Sequence, residues 1–176
     1  MTSDARVYRY YYIFDSRERR VLVLDRATGE ERTPDTDSCS ALIQHVAGGA
    51  DPSLRSFARW CARQVDADAC PTHTAAGRLW AAARRDDPTA WNRVRRETAD
   101  TAMLAVTLDL PQHEPEAARL LTLQACTHPD AERAALDAAH MSERWAEFDG
   151  EGNPATAAKK MRARHINWLL DQLPSP

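Results

Sequence analysis

The chain has 176 residues, 43% of them hydrophobic and 28% charged, with a formal net charge of -3. That length can bury one sizeable core, and that composition excludes a wholly disordered chain. The slight acidic excess excludes general nucleic-acid binding, which needs a basic surface to neutralise phosphates.

Met1 to Arg9 lacks the apolar h-region of a signal peptide, and no apolar run approaches membrane-spanning length. Cys39, Cys61, Cys70 and Cys126 are spread singly, a pattern suited to reduced thiols rather than a disulfide framework. These features predict a cytoplasmic protein without membrane contact.

Val7 to Phe14 is rich in aromatic and β-branched residues and reads as a strand with Tyr8, Tyr10, Tyr12 and Phe14 on one face. A polar turn leads to a second strand, Val21 to Asp25. The turn around Gly29 then returns the chain through Glu30 to Thr33. The expected result is a small antiparallel meander over residues 1–36 that packs on a helical body.

The helical body, residues 37–176, is a bundle of about six to seven helices, so the fold class is mainly α. The first runs from Ser38 to Ala47 and stops at Gly48-Gly49. The second opens at Asp51-Pro52 and places Leu54, Phe57, Ala58, Cys61 and Val65 on one stripe. An acidic or polar residue followed by proline recurs as Asp87-Pro88, Glu114-Pro115, His128-Pro129 and Asn153-Pro154, and each pair predicts a helix start. Between them, Ala75 to Arg85 buries Ala76, Leu79, Trp80 and Ala83. The helix from Pro88 is expected to continue to Pro111 with Trp91, Val94, Thr98, Ala102, Ala105 and Val106 inward. Ala118, Leu121 and Ala125 form the next stripe. Ala131, Ala134, Ala138, Met141, Trp145 and Phe148 form the clearest one, and small residues early in it predict a close helix approach. Met161, His165, Trp168, Leu169 and Leu173 line the last helix.

No arrangement of residues compels a reaction. Cys70-Pro71-Thr72-His73 has C-x-x-H spacing, but a structural zinc site needs a second such pair, and Cys126-Thr127-His128 is too closely spaced. Cys70 and His73 therefore stand as a weak metal or thiolate candidate, without an identifiable third group. Gly48-Gly49 lacks the Lys-Ser/Thr of a phosphate loop. Asp86, Asp87, Glu114 and Glu116 sit at helix starts, where capping and dipole compensation account for them. No cofactor is implied.

Arg84, Arg85, Arg93, Arg95 and Arg96 form the strongest basic patch, diluted by Asp86, Asp87 and Glu97. Its ordinary reading is a solvated helix face; its sharper reading is a contact site for an acidic protein partner. Tyr10 and Tyr12 are the matching aromatic candidates on the N-terminal strand.

The segment Leu54-Arg55-Ser56-Phe57-Ala58-Arg59-Trp60-Cys61-Ala62-Arg63-Gln64-Val65 resembles the opening helix of a family of immunity proteins from bacterial polymorphic-toxin loci. Ala75 to Arg85, the alanine-rich Arg93 to Val106 and Ala131 to Ala139, and Asn167-Trp168-Leu169-Leu170 continue the resemblance to about Leu173. Trp60 departs from it, standing where the family has a small residue. The resemblance implies a non-enzymatic helical protein that binds and occludes a cognate toxin, with no catalytic residues to carry over. The alternatives are a small enzyme or accessory subunit using Cys70 and His73, and a homodimeric scaffold meeting through Trp-rich faces.

Overall fold

The computed structural model describes residues 10–48, 51–149 and 152–173. Val7 and Tyr8, Gly49, the Gly150-Glu151 pair and the 174–176 tail lie outside the described residues. The protein is mainly α, with a three-stranded antiparallel sheet at its N-terminal end. The strands are β1 (Tyr10–Asp15), β2 (Arg20–Asp25) and β3 (Glu31–Arg32), in the order β1-β2-β3. Tyr12 faces Val23 across the β1–β2 ladder. Gly29 takes φ +70 in the β2–β3 turn, where a side chain would be strained. Val21 and Val23 enter the helical core, and Phe14 packs 5.2 Å from the ring of His45. Arg19 reaches Asp171 at 3.0 Å, tying the first hairpin to the end of the last helix.

Among the described residues there are eight α-helices: α1 (Thr36–Ala47), α2 (Asp51–Gln64), α3 (Ala75–Ala83), α4 (Pro88–Glu97), α5 (Ala99–Thr107), α6 (Pro115–Cys126), α7 (Ala131–Asp149) and α8 (Pro154–Leu170). The first begins two residues earlier than expected because Asp35 and Ser38 form a capping box. Pro88 and Pro154 sit in the first turns predicted for them. Asp87 accepts the Thr89 N–H at 2.9 Å and Asn153 accepts the Ala155 N–H at 2.9 Å. Asp51 lies within α2, and its expected capping contact lies outside what is described.

Two further boundaries and one cap differ from expectation. The single helix expected from Pro88 to Pro111 divides at Thr98, whose hydroxyl donates to the Val94 carbonyl at 2.8 Å. Such a back-bond often accompanies a bend, and Thr98 leaves helical geometry at φ -108, ψ 4. Ala102 and Ala105 stay inward after the break, but Val106 is exposed rather than buried. The helix expected at His128-Pro129 starts instead at Ala131, where Asp130 accepts the Arg133 N–H at 2.7 Å. Glu114 precedes α6 without a side-chain cap bond, as its longer side chain fits that role less well than Asp or Asn.

The stripe on α2 is buried as its spacing requires: Leu54, Phe57, Cys61 and Val65 have no exposed area. It packs on α7, which also contacts α1, α6 and α8 and forms the centre of the bundle. Ala134, Ala135 and Ala138 are fully buried on α7, and these small side chains let two neighbours approach it closely. Arg55 of α2 donates to the carbonyls of His128 and Pro129 and stacks 4.6 Å over Trp91. It thereby joins α2, α4 and the α6–α7 loop.

At the start of α3 the chain passes so close that only glycine fits. A Cβ on Gly77 would lie 2.0 Å from the Pro71 carbonyl oxygen, which the Thr74 N–H and hydroxyl both use. Helix propensity alone favours Gly77→Ala by about 1 kcal/mol. The contact reverses that sign: Gly77→Ala is expected to lower stability by roughly 1–3 kcal/mol in urea unfolding. A stabilised variant would show that the loop does not approach α3 this closely.

Candidate functional site

The residues with the most developed chemistry are buried between α7 and α8. His165 has no exposed area and lies among Phe57, Trp60 and Glu143. Its Nε2 is 3.1 Å from the Ser142 hydroxyl, and its Nδ1 is 3.5 Å from Glu143 Oε1. Glu143 is held from the other side by Arg162, which donates through Nη2 at 2.8 Å and Nε at 3.3 Å. The helix period produces this arrangement. Ser142 and Glu143 are neighbours on α7, while Arg162 and His165 lie three apart on one face of α8.

Burial pushes the His165 imidazole below its ordinary 6.5, more strongly than Glu143 pulls it up, so the ring is neutral near pH 7. Burial acts to raise the Glu143 carboxyl, but its contacts with His165 and Arg162 outweigh it and hold it below its ordinary 4.5. Serine, imidazole and carboxylate in a row are the groups of a hydrolase triad. Ser142, however, also has no exposed area, and its hydroxyl lies 3.0 Å from the Ala139 carbonyl. A cleft of about 190 Å³ touches the outer end of the row at Glu143 and Arg162, and its lining includes neither Ser142 nor His165. A hydroxyl sealed in the core cannot meet a substrate carbonyl, so the row fastens α8 to α7.

The candidates named from the sequence lie elsewhere and do not converge. His73 is exposed and Cys70 half-buried, with its thiol 3.9 Å from the Asp66 carbonyl. Burial pushes the Cys70 thiol up, against the opposing charge of Arg119, which leaves it protonated near neutral pH. Among the described residues, no three His, Cys, Asp or Glu side chains gather as a metal-ligand set. Cys39 and Cys126 are buried with thiols pushed up to about 12, and Cys126 donates to the Ala58 carbonyl at 3.1 Å.

The basic patch separates into two kinds of arginine. Arg84, Arg85, Arg93 and Arg96 are exposed; Arg84 lies 5.5 Å over Trp80, and Arg96 bonds its own helix at the Asn92 carbonyl. Arg95 turns inward and donates to the Gln124 carbonyl at 2.7 Å, bridging α4 and α6. Tyr10 and Tyr12 pack against the core, so the exposed side chains of β1 are Tyr11 and Ile13. The tryptophans are likewise directed inward: Trp80, Trp91 and Trp145 are buried, and Trp60 and Trp168 lie 6.2 Å apart, half-buried beside Phe57.

Among the described residues, the largest apolar exposure falls on α5 and the turn after it. Met103, Leu104, Val106 and Leu108 are 56–66% exposed, while Ala102 and Ala105 alone hold the helix to the body. Val106 shares a depression of about 190 Å³ with Arg95, Leu121 and Met141. Sequence reading missed this surface because it assigned Val106 to the core. The available signal was a helix apolar on every face, which requires a covering on each of them. No family model matches this chain, and neither curated proteins nor solved structures yield a match.

The buried row generates a pH prediction. The unfolded chain protonates His165 near its ordinary 6.5 while the folded chain resists, so the stability contributed is complete above that value and declines as pH falls below it. The lowered Glu143 carboxyl adds a second loss at more acidic pH, below 4.5. His165→Gln should flatten the fall in urea midpoint between about pH 7 and pH 5 relative to the parent chain. An equal slope in both proteins would exclude His165 as its source.

Proposed function

We propose that this chain is a non-enzymatic binding protein that docks a protein partner over α5. The partner is a toxin of the polymorphic-toxin class, blocked by occlusion. The observation that carries the binding reading is the exposed apolar row Met103, Leu104, Val106 and Leu108. Contiguous exposed apolar groups rimmed by polar residues mark interaction sites. The toxin reading rests on the family resemblance of Leu54 to Leu173. The chemistry available to an enzyme points the same way, since the Ser142–His165–Glu143 row is sealed and Cys70 is a protonated thiol. The exposed Arg93 and Arg96 on the neighbouring α4 favour a partner with an apolar centre and an acidic rim.

The test is co-expression with candidate toxin domains of the polymorphic-toxin class, read as survival of the host. The parent chain should protect, and Leu104→Glu combined with Val106→Glu should abolish protection without changing the urea midpoint, because both side chains are exposed. A protecting double variant would remove α5 from the interface. Light scattering provides the competing outcome: a concentration-dependent dimer, lost in the same variant, would make a second copy the occupant. Arg93→Glu with Arg96→Glu should slow toxin association roughly tenfold at low salt and less at high salt, as for rim charges that steer encounter. An unchanged rate would place those arginines outside the contact.

A further inference from the structure

The fastening of α5 differs from that of its neighbours. Across the bundle, α4 is tied by Arg95, which bonds the Gln124 carbonyl at 2.7 Å, and by the Trp91 indole N–H, which donates to the Arg85 carbonyl at 2.9 Å. In the same way α6 is tied to the end of α2 by Arg119, which donates to the Val65 carbonyl at 2.8 Å. Among the described residues, no side chain of α5 makes a hydrogen bond or an ion pair. Its hold is apolar contact alone: Ala102 and Ala105 lie on Ala117 and Leu121 of α6, with Leu110 and Met141 beside them. Apolar stabilisation scales with the area removed from water, and Met103, Leu104, Val106 and Leu108 turn the larger apolar groups of this segment outward.

The ends of the segment are held more firmly than its middle. Thr98 before α5 and Pro111 after it are both buried. Each joint leaves helical geometry, Thr98 at φ -108 and Asp109 at φ 52, so α5 continues neither neighbour. A segment with little buried area between two fixed points opens at low cost while the rest stays folded. We propose that α5 is a strap that opens locally between Thr98 and Pro111 and uncovers an apolar trough formed by Ala117, Leu121 and Met141. Opening is a property of the chain alone. A partner seated on the outer face of α5 binds the closed form and holds it shut, a consequence that rests on the docking reading above.

The first test is amide hydrogen exchange of the full chain with no partner present, read residue by residue. The amides of Ala105 to Leu108 should exchange at least roughly tenfold faster than those of Leu121 to Leu123, at rates that urea below the unfolding transition leaves unchanged, as for openings that expose little surface. Equal protection in the two segments, or α5 rates that climb with urea as steeply as those of α6, would overturn the proposal. Uncovering of the trough is read on Ala117→Cys in a Cys70→Ser background, where the remaining thiols, Cys39, Cys61 and Cys126, are buried in the main core. Iodoacetamide should alkylate the new thiol roughly tenfold faster than Cys126 on the same helix. Ala105→Gly should speed that reaction roughly fivefold further by weakening the strap's helix. Alkylation of both thiols at one rate, or no response to Ala105→Gly, would also overturn it. Both measurements use the chain by itself, so their failure leaves the docking of a partner to be judged by its own test.

Discussion

The structure depends on how closely helices can approach α7. Its inner positions are alanines, so α2 and α6 both lie against one rod without large side chains holding them apart. Close-packed interiors gain many small dispersion contacts, and they tolerate little added volume. The larger groups are placed where the helices diverge. Phe57, Trp60 and Trp168 fill the space between α2 and α8, and Trp145 fills the end beside Val65 and Met161. One small-residue helix therefore sets the spacing, and the aromatic residues occupy what that spacing leaves.

The Ser142–His165–Glu143–Arg162 row adds direction to this packing. Alanine contacts alone allow α8 to slide or rotate on α7, because they are nearly featureless. A two-pronged Arg162–Glu143 contact and a buried imidazole between Ser142 and Glu143 match in one register only. Burying such groups costs desolvation, and removing one partner would leave the other uncompensated. That cost appears in the lowered His165 value, whereas the lowered Glu143 value records the contacts that outweigh it; both link the fold to pH.

With the interior devoted to packing and orientation, the groups left uncovered lie on the outside. Two places there are not completed by the chain itself. The face of α5 carries apolar side chains that nothing among the described residues covers, and the cleft beside Trp145 exposes Arg63 and Lys160 without carboxylate partners among them. The first is broad and apolar, suited to a macromolecule. The second is an open cleft lined by charged and apolar side chains.

The sequence by itself determined the class of fold. Proline after Asp87 and Asn153 set helix starts, and the spacing of Leu54, Phe57, Cys61 and Val65 set a buried face, because these signals act within one or two helical turns. Tertiary structure decided the rest. The chain divides α4 from α5 at Thr98, and Val106 then faces solvent although its spacing suits a core. Tyr10 and Tyr12 turn inward because the meander sits on the helical body. His165 meets Ser142 and Glu143 across 23 and 22 residues of chain, a separation that no local pattern records. Periodicity identifies a helix's apolar face, but which neighbour covers that face, and whether any does, depends on how distant segments pack.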